Sequence, residues 1–253
     1  MTTNLQSKIF FLVKSILSGN KTRIKNTILS IFAPNINNIK SYYSASGEDI
    51  ILEHVFKNQK NGFYVDVGSY HPEWFSNTKK LFDSGWSRIN IDPNIDTINL
   101  FYKYRQNDLN LNVAVSDSNG TGEYYKFLEI DIAGGGSGNS LSFDTKNRYE
   151  KEGLTTTTII VPVRTLSTIL SEHAVDKKID FLNIDVEGLD LQVLKSNDWN
   201  RFRPRIIAVE IWGNTINYDS LSENETYKFL REQNYVAFSN TIHTWFFRDT
   251  TQN

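Results

Sequence analysis

Acidic residues follow two of the apolar runs in the C-terminal half of the sequence. Asp185 and Glu187 come after the run at 179–184, and Glu210 comes after the run at 205–209. Because ligands of open α/β sheets bind beyond the carboxyl ends of the strands, we expect these carboxylates to converge on one pocket. Clustered carboxylates raise one another's pKa, which favours a general base, and they also suit a hard cation such as Mg²⁺. We expect at least one of the three to be structural, as a helix cap or as the partner of an arginine.

Polar residues also mark the ends of three earlier apolar runs. Asp66 and Gly68 end the first run, and Asp92 ends the second. Ser116 and Asp117 follow the third run. A glycine at a strand-to-helix turn lets the backbone approach a ligand closely, and an acidic residue about two dozen positions later suits the hydroxyls of a ribose. A polar end of the third strand suits an adenine ring.

The residues after Gly68 narrow the choice of cofactor. The GxGxxG fingerprint of dinucleotide-binding proteins is absent, since Ser69, Tyr70 and His71 follow the first glycine. Without further glycines a pyrophosphate has no seat on the next helix, which counts against NAD and FAD. Three successive strand ends that suit adenosine but not a pyrophosphate point to S-adenosylmethionine.

Alternating strands and helices must position these residues. Short runs rich in β-branched residues predict buried parallel strands over 63–67, 88–91, 111–115, 179–184 and 205–209. Helix-like stretches are predicted to start at 46–49 and to cover 77–84, 95–105, 189–196 and 223–233. The alternation predicts an α/β sheet with helices on both faces. The last apolar segments, 235–238 and 243–247, predict a closing hairpin.

The alternation is interrupted between the third and fourth parallel strands. Residues 123–127 and 155–163 read as two further strands, and a glycine-rich run lies between them at 133–139. The run lacks a GK[ST] ending and a following helix start, so it is not a P-loop. We expect a mobile loop at the active site, with a plain surface loop as the alternative.

The first forty residues differ from the remainder in charge. They carry six basic residues, and the first acidic residue of the chain is Glu48. Two amphipathic stretches, at 9–17 and 24–32, are too short for a membrane span, and a signal peptide is not expected. We consider two alternatives for residues 1–40: a basic amphipathic segment on an anionic membrane surface, or a pair of helices that packs on the domain or on a second subunit.

Composition excludes several classes of protein. The chain has 253 residues, no cysteine and a formal net charge of −2. Without cysteine there is no disulfide scaffold, no thiolate zinc site, no iron–sulfur cluster and no cysteine nucleophile. The small net charge argues against a dedicated nucleic-acid binder, so no nucleic-acid partner is expected.

An ordered set of motifs carries a family resemblance. The motifs lie at 44–52, 63–68, 71–72, 76–78, 85–86, 91–94, 113–117, 139–141, 161–166 and 184–188. Together they resemble the FkbM family of S-adenosylmethionine-dependent methyltransferases, over about residues 41–247. The resemblance implies a class I methyltransferase domain over 41–253, with a Rossmann-like seven-stranded sheet whose last strand is antiparallel. Residues 1–40 form a helical appendage outside it.

The resemblance also implies which residues hold the cofactor. Those residues are Glu48, Asp66, Gly68, Ser69, Asp92, Ser116, Asp117 and Asp185. Asp66 and Gly68 flank the methionine part by this likeness, and Asp92 holds the ribose. Ser116 and Asp117 lie near the adenine.

Methyl transfer to a hydroxyl needs alignment and a group that removes the proton. We name His71, Asp185 and Glu187 as candidate catalytic residues, with the alternative that His71 only holds its loop by hydrogen bonds. A metal ion such as Mg²⁺ at Asp185 and Glu210 is a second hypothesis for activating the hydroxyl.

The family resemblance implies O-methylation of sugars in bacterial surface polysaccharide or glycosides. The acceptor is a sugar or glycan that is free, nucleotide-linked or lipid-linked. The alternatives are a methyltransferase for a lipid or polyketide alcohol, and an inactive protein that binds nucleotide sugars or glycans. We expect a cytoplasmic protein, with peripheral contact at the inner face of the membrane through residues 1–40 and a homo-oligomer as open alternatives.

Overall fold

The computed structural model describes residues 5–17, 19, 24, 27–28, 41–127, 138–212 and 221–252. Most of the predicted glycine-rich loop at 133–139 and most of the second amphipathic stretch at 24–32 lie outside these residues. The chain divides into two compact units, Met1–Tyr42 and Tyr43–Asn253.

The first unit contains helix α1, Leu5–Leu17. Several apolar side chains of this helix are exposed to solvent, among them Phe10, Val13 and Leu17. Lys14 lies in its last turn. Within the described ranges, no helix combines the length and the apolar character that a bilayer crossing requires.

The second unit alternates strands and helices. Its strands are β1 (Phe63–Val67), β2 (Ser87–Ile91), β3 (Leu109–Leu111), β4 (Ala114–Val115), β5 (Gly120–Phe127), β6 (Thr156–Arg164), β7 (Phe181–Ile184), β8 (Ile206–Glu210), β9 (Tyr235–Asn240) and β10 (Thr244–Asp249). Its helices are α2 (Glu48–Val55), α3 (Lys79–Asp83), α4 (Ile95–Tyr104), α5 (Phe143–Lys151), α6 (Leu166–His173), α7 (Asp190–Lys195) and α8 (Glu225–Glu232).

Seven strands form one sheet in the order β3-β2-β1-β7-β8-β10-β9. The first five in this order run parallel to one another. Strand β10 runs antiparallel to both of its neighbours. The prediction of an α/β fold with a mostly parallel sheet is therefore confirmed.

The sheet is buried on both faces because alternate residues of its central strands enter two apolar cores. Tyr64 and Phe181 are neighbours on one face, where α2 and α3 add Leu52 and Leu81. On the other face Val65 packs in line with residues of β7 and β8, under α6, α7 and α8. This two-sided burial explains why the strands appear in the sequence as nearly continuous apolar runs.

A second, small sheet has the order β4-β6-β5. The prediction of one continuous strand over 111–115 is wrong, because β3 belongs to the large sheet and β4 to the small one. Between them the side chain of Asn112 donates to the carbonyl oxygens of Asp92 and Pro93, at 3.1 and 2.9 Å. These bonds hold the chain where it leaves the large sheet.

Helix α5 was not predicted. Its residues Phe143–Lys151 include few apolar ones, so they show no helical hydrophobic period. Its start is set locally, since the Ser142 hydroxyl accepts a hydrogen bond from the backbone N–H of Thr145 at 3.2 Å.

Candidate active site

A cavity of about 370 Å³ lies at the carboxyl ends of β1, β2, β7 and β8. This volume is in the range of small-molecule sites. The order in which the chain adds strands to the large sheet reverses between β1 and β7. Ligands of open α/β sheets bind at such a switch point. Eight of the predicted site residues line the cavity: Glu48, Asp66, Gly68, Ser69, Asp92, Asp185, Glu187 and Glu210.

Gly68 brings the ends of β1 and β7 close together. Its backbone has φ +79°, and a Cβ at this position would lie 1.7 Å from the carbonyl oxygen of Asp185. Its N–H donates to the carbonyl of Ile91 at 2.9 Å, which ties it to β2 as well. Any other residue here would force the strand ends apart, so the glycine is required by close approach.

Asp66, in β1, is buried within a network of hydrogen bonds. Its carboxylate accepts from the Thr78 hydroxyl at 2.7 Å and from the Asn183 amide at 2.9 Å. Burial raises the pKa of Asp66, and these two hydrogen bonds oppose the increase. The network fixes the carboxylate in the wall of the cavity.

Arg105, at the end of α4, supports the same wall from behind. Its buried guanidinium donates to the hydroxyls of Thr78 and Ser76, both at 3.1 Å, and to the carbonyl of Pro72. It also donates to the hydroxyl of Tyr64 at 3.0 Å. One buried cation thereby holds the loop between β1 and α3, which forms part of the cavity wall.

Asp92 follows β2 and is also held by the backbone. Its two carboxylate oxygens accept from the N–H groups of Tyr70, at 3.2 Å, and of Asn94, at 2.8 Å. Burial raises the pKa of Asp92 to about 7. Each carboxylate oxygen keeps a free lone pair, so the group can still accept hydrogen bonds from a ligand.

Glu48 and Ser69 line the cavity with their polar groups already engaged. The Glu48 carboxylate accepts from the hydroxyl of Thr241 at 2.6 Å and from the N–H of Ser46 at 2.8 Å. It therefore joins the start of α2 to the turn between β9 and β10. The Ser69 hydroxyl donates to the carbonyl of Ile91 at 3.4 Å.

Asp185, Glu187 and Glu210 lie together, as the sequence predicts. One carboxylate oxygen from each falls within 4.8 Å of the others. Burial, followed by the charge of Glu210, raises the pKa of Asp185 well above its usual range. Burial, followed by the charge of Glu187, raises the pKa of Glu210 to about 8. The cluster therefore holds protons at neutral pH and offers carboxyl groups to a ligand.

Glu187 has strained backbone and an unsatisfied oxygen. It adopts φ +55°, a region that side-chain-bearing residues seldom occupy. Burial raises its pKa, and the charge of Arg148 opposes this effect. Its Oε2 is buried and has no hydrogen-bond partner among the residues that the structure describes.

The neighbouring carboxylate of Asp190 has a structural role. Its two oxygens accept from the backbone N–H groups of Val186 and Gly188, both at 3.2 Å. These bonds shape the turn that presents Asp185 and Glu187 to the cavity.

His71 does not line the cavity. Its Nδ1 accepts from the backbone N–H groups of Glu73, at 3.0 Å, and Trp74, at 2.9 Å, and its ring stacks on Trp74. Burial lowers its pKa. These contacts favour the alternative in which His71 only holds its loop by hydrogen bonds, because the nitrogen that would take a proton already accepts two backbone N–H groups.

Ser116 and Asp117 also lie outside the cavity wall. Asp117 is exposed, and the backbone N–H of Ser116 donates to the carbonyl of Arg164 in the small sheet at 3.1 Å. The assignment of these two residues to the adenine stays a prediction from the family resemblance, and the chain has already joined the small sheet when it reaches them. The residues before them, Val113 and Ala114, line the cavity instead.

His243 lines the cavity but was not predicted as a site residue. It precedes β10, and Thr244, the first residue of β10, pairs with Glu210 at the end of β8. The expected antiparallel orientation of the last strand could have identified His243 as a site residue. Such a strand starts at the edge of the sheet where its parallel neighbours end.

Comparison with known families agrees with this architecture. The family model described as Methyltransferase FkbM domain matches residues 66–237. The matched segment carries the ends of β1, β2, β7 and β8, and thus most of the cavity wall. No curated protein matches the chain. Since the family model covers about two thirds of the sequence, the chain belongs to the FkbM methyltransferase domain family.

Proposed function

We propose that the protein is an S-adenosylmethionine-dependent O-methyltransferase that acts on a sugar hydroxyl. The observation that supports this most is the cavity at the carboxyl ends of β1, β2 and β7, with Asp66, Gly68 and Asp92 in its wall. Membership of a methyltransferase family supplies the reaction class.

The cavity wall fits the chemistry of the cofactor. S-adenosylmethionine carries a positive sulfonium that supplies the methyl group, an amino group, a ribose and an adenine. In this proposal Asp92 accepts from the ribose hydroxyls, and Asp66, Gly68 and Ser69 contact the methionine part. The apolar side chains of Val113 and Ala114 replace Ser116 and Asp117 as the adenine contact. Glu48, whose oxygens are both engaged, closes the wall beside the cofactor.

The acceptor would bind where the three carboxylates meet. Asp185 and Glu187 lie in the cavity wall one strand away from Asp66 and can accept hydrogen bonds from a sugar hydroxyl. Because Asp66 contacts the methionine part in this proposal, a hydroxyl bound at Asp185 and Glu187 would lie beside the group that carries the methyl, which brings the two reactants together. This is the catalytic role that we assign to them.

A divalent cation is the competing hypothesis for the same cluster. Asp185 and Glu210, with Glu187, offer the oxygen ligands that Mg²⁺ prefers. Methyl transfer measured after treatment with EDTA decides between the two. Activity that is lost with EDTA and restored by Mg²⁺ supports the metal hypothesis. Unchanged activity excludes it.

We further propose that residues 1–40 hold the enzyme at an anionic membrane surface on the cytoplasmic side. The exposed apolar residues of α1 and the surplus of basic residues favour this over packing against a second subunit. The protein should sediment with phosphatidylglycerol vesicles but not with phosphatidylcholine vesicles, and Phe10→Asp should reduce sedimentation. A stable dimer with no vesicle binding would support the second-subunit alternative.

The acceptor class can be tested in cells. Surface polysaccharide is isolated from cells with and without this gene and compared by mass spectrometry. The proposal predicts a sugar residue that lacks one methyl group in the cells without the gene. A methyl group missing from a lipid or polyketide would favour the non-sugar alternative. Unchanged products, with no S-adenosylmethionine binding, would favour an inactive glycan-binding protein.

A further inference from the structure

His243 lies in the cavity wall. In the sequence it comes after the matched family segment at 66–237. Its position is fixed by the sheet, since its carbonyl accepts from the N–H of Ile211 at 2.9 Å. The next residue, Thr244, pairs with Glu210. These contacts place His243 at the end of β8, beside the carboxylate cluster.

The imidazole of His243 is held by stacking on an aromatic side chain. Its ring lies on Trp212 with a centroid separation of 4.2 Å and an angle of 24°. Trp212 is fixed in turn, because its indole N–H donates to Glu210 at 2.6 Å. The ring therefore has a defined orientation.

Among the residues that the structure describes, none forms a hydrogen bond with Nδ1 of His243, which is buried. Buried polar atoms in folded proteins nearly always have a partner. Glu187 Oε2, in the wall of the same cavity, is likewise unsatisfied. Two such atoms in one cavity wall indicate that polar groups of a ligand complete the site. His71 shows the contrast, since its Nδ1 already has two donors.

We propose that His243 is the general base that removes the proton from the acceptor hydroxyl. This inference rests on the proposed function. The hydroxyl oxygen forms a bond to the methyl carbon, and the bond from sulfur to that carbon breaks with its electron pair staying on sulfur. The hydroxyl proton moves to His243, which becomes an imidazolium and later releases it to solvent. The charged and titratable groups near this edge include Asp185, Glu187, Asp190, Glu210 and Arg148.

The test compares His243→Gln with the matched control His54→Gln. His54 is exposed on α2 and does not line the cavity. Calorimetry with S-adenosylhomocysteine first measures cofactor binding, which both variants should keep and which reports a folded cavity. Transfer of tritiated methyl to surface polysaccharide from cells without the gene then measures turnover. We expect His243→Gln to lower turnover by about 100-fold or more and His54→Gln to leave it unchanged. Added imidazole should restore part of the activity of His243→Ala.

A second readout does not depend on turnover. In the protein bound to S-adenosylhomocysteine, the imidazole signals of His243 are assigned by comparison with His243→Gln in ¹⁵N-labelled samples. Added polysaccharide should shift these signals and leave those of His54 unchanged.

The outcomes separate the role of His243 from the proposed function. Turnover of His243→Gln within about threefold of wild type, with cofactor binding retained, overturns the role of His243 alone. Wild-type protein that binds no S-adenosylhomocysteine overturns the proposed function. Wild-type protein that binds it but methylates none of the polysaccharide overturns the sugar acceptor and this proposal with it.

Discussion

Replacing Gly68 with alanine tests whether the close approach of β1 and β7 builds the cavity. The added Cβ would lie 1.7 Å from the carbonyl oxygen of Asp185, whereas ordinary contact begins at 3.4 Å. The two backbone segments must therefore separate by about 1.7 Å. This movement would displace Asp185 relative to Asp66, and both line the cavity.

Two costs add up in Gly68→Ala. A residue with a side chain at φ +79° costs about 1–2 kcal/mol. Forcing atoms into a well-packed region costs typically about 1–3 kcal/mol more. We expect the free energy of unfolding to fall by about 2–5 kcal/mol, and binding of S-adenosylhomocysteine to be lost or strongly weakened.

Gly85→Ala provides the matched control. Gly85 has φ +85°, and a Cβ there would meet no atom within 4 Å, so this variant carries the backbone cost without the clash. Urea unfolding of both variants isolates the contribution of the clash, and calorimetry measures cofactor binding. The reasoning is refuted if Gly68→Ala is no less stable than Gly85→Ala and binds S-adenosylhomocysteine like the wild type.

Three further predictions concern buried polar groups. Folding raises the pKa of Asp92 from 3.8 to about 7, so the free energy of unfolding should fall as the pH rises between these values, and Asp92→Asn should reduce that slope in urea unfolding. Arg105→Lys should lower the free energy of unfolding by about 2–4 kcal/mol, because the lysine cannot serve Pro72 and Ser76 together; an unchanged urea midpoint would contradict this. His71→Asn should keep methyl transfer within about threefold of wild type, whereas a loss of about 100-fold would return His71 to the catalytic group.

Much of the fold follows from local patterns in the sequence. The strand at Phe63–Val67 was predicted with its observed bounds, because the run is rich in apolar residues and is bounded by Gly62 and Gly68. Helix α2 begins at Glu48, where two acidic residues follow a glycine. The break between β3 and β4 was missed because it depends on hydrogen bonds from Asn112 to a distant turn. Helix α5 was missed because it has little apolar surface to bury.

In the candidate site, too, local sequence patterns predict some residues, and long-range contacts determine the others. Asp66, Gly68 and Asp92 could be found because they lie at the ends of strong apolar runs, where the topology of a parallel sheet assembles them. His243 could not be assigned a partner from the sequence, since its stacking on Trp212 depends on long-range strand pairing. The occupation of His71 Nδ1 by two backbone N–H groups depends on the loop conformation, which the residue types alone do not fix.

The central claim is that this cavity binds S-adenosylmethionine through Asp92. Isothermal titration of the protein with S-adenosylmethionine, S-adenosylhomocysteine and NAD tests it most directly, with Asp92→Ala as the variant. We expect binding of the first two ligands, none of NAD, and an affinity for S-adenosylhomocysteine that falls by about tenfold or more in Asp92→Ala. Binding of NAD without S-adenosylmethionine, or an unchanged affinity in Asp92→Ala, would contradict it.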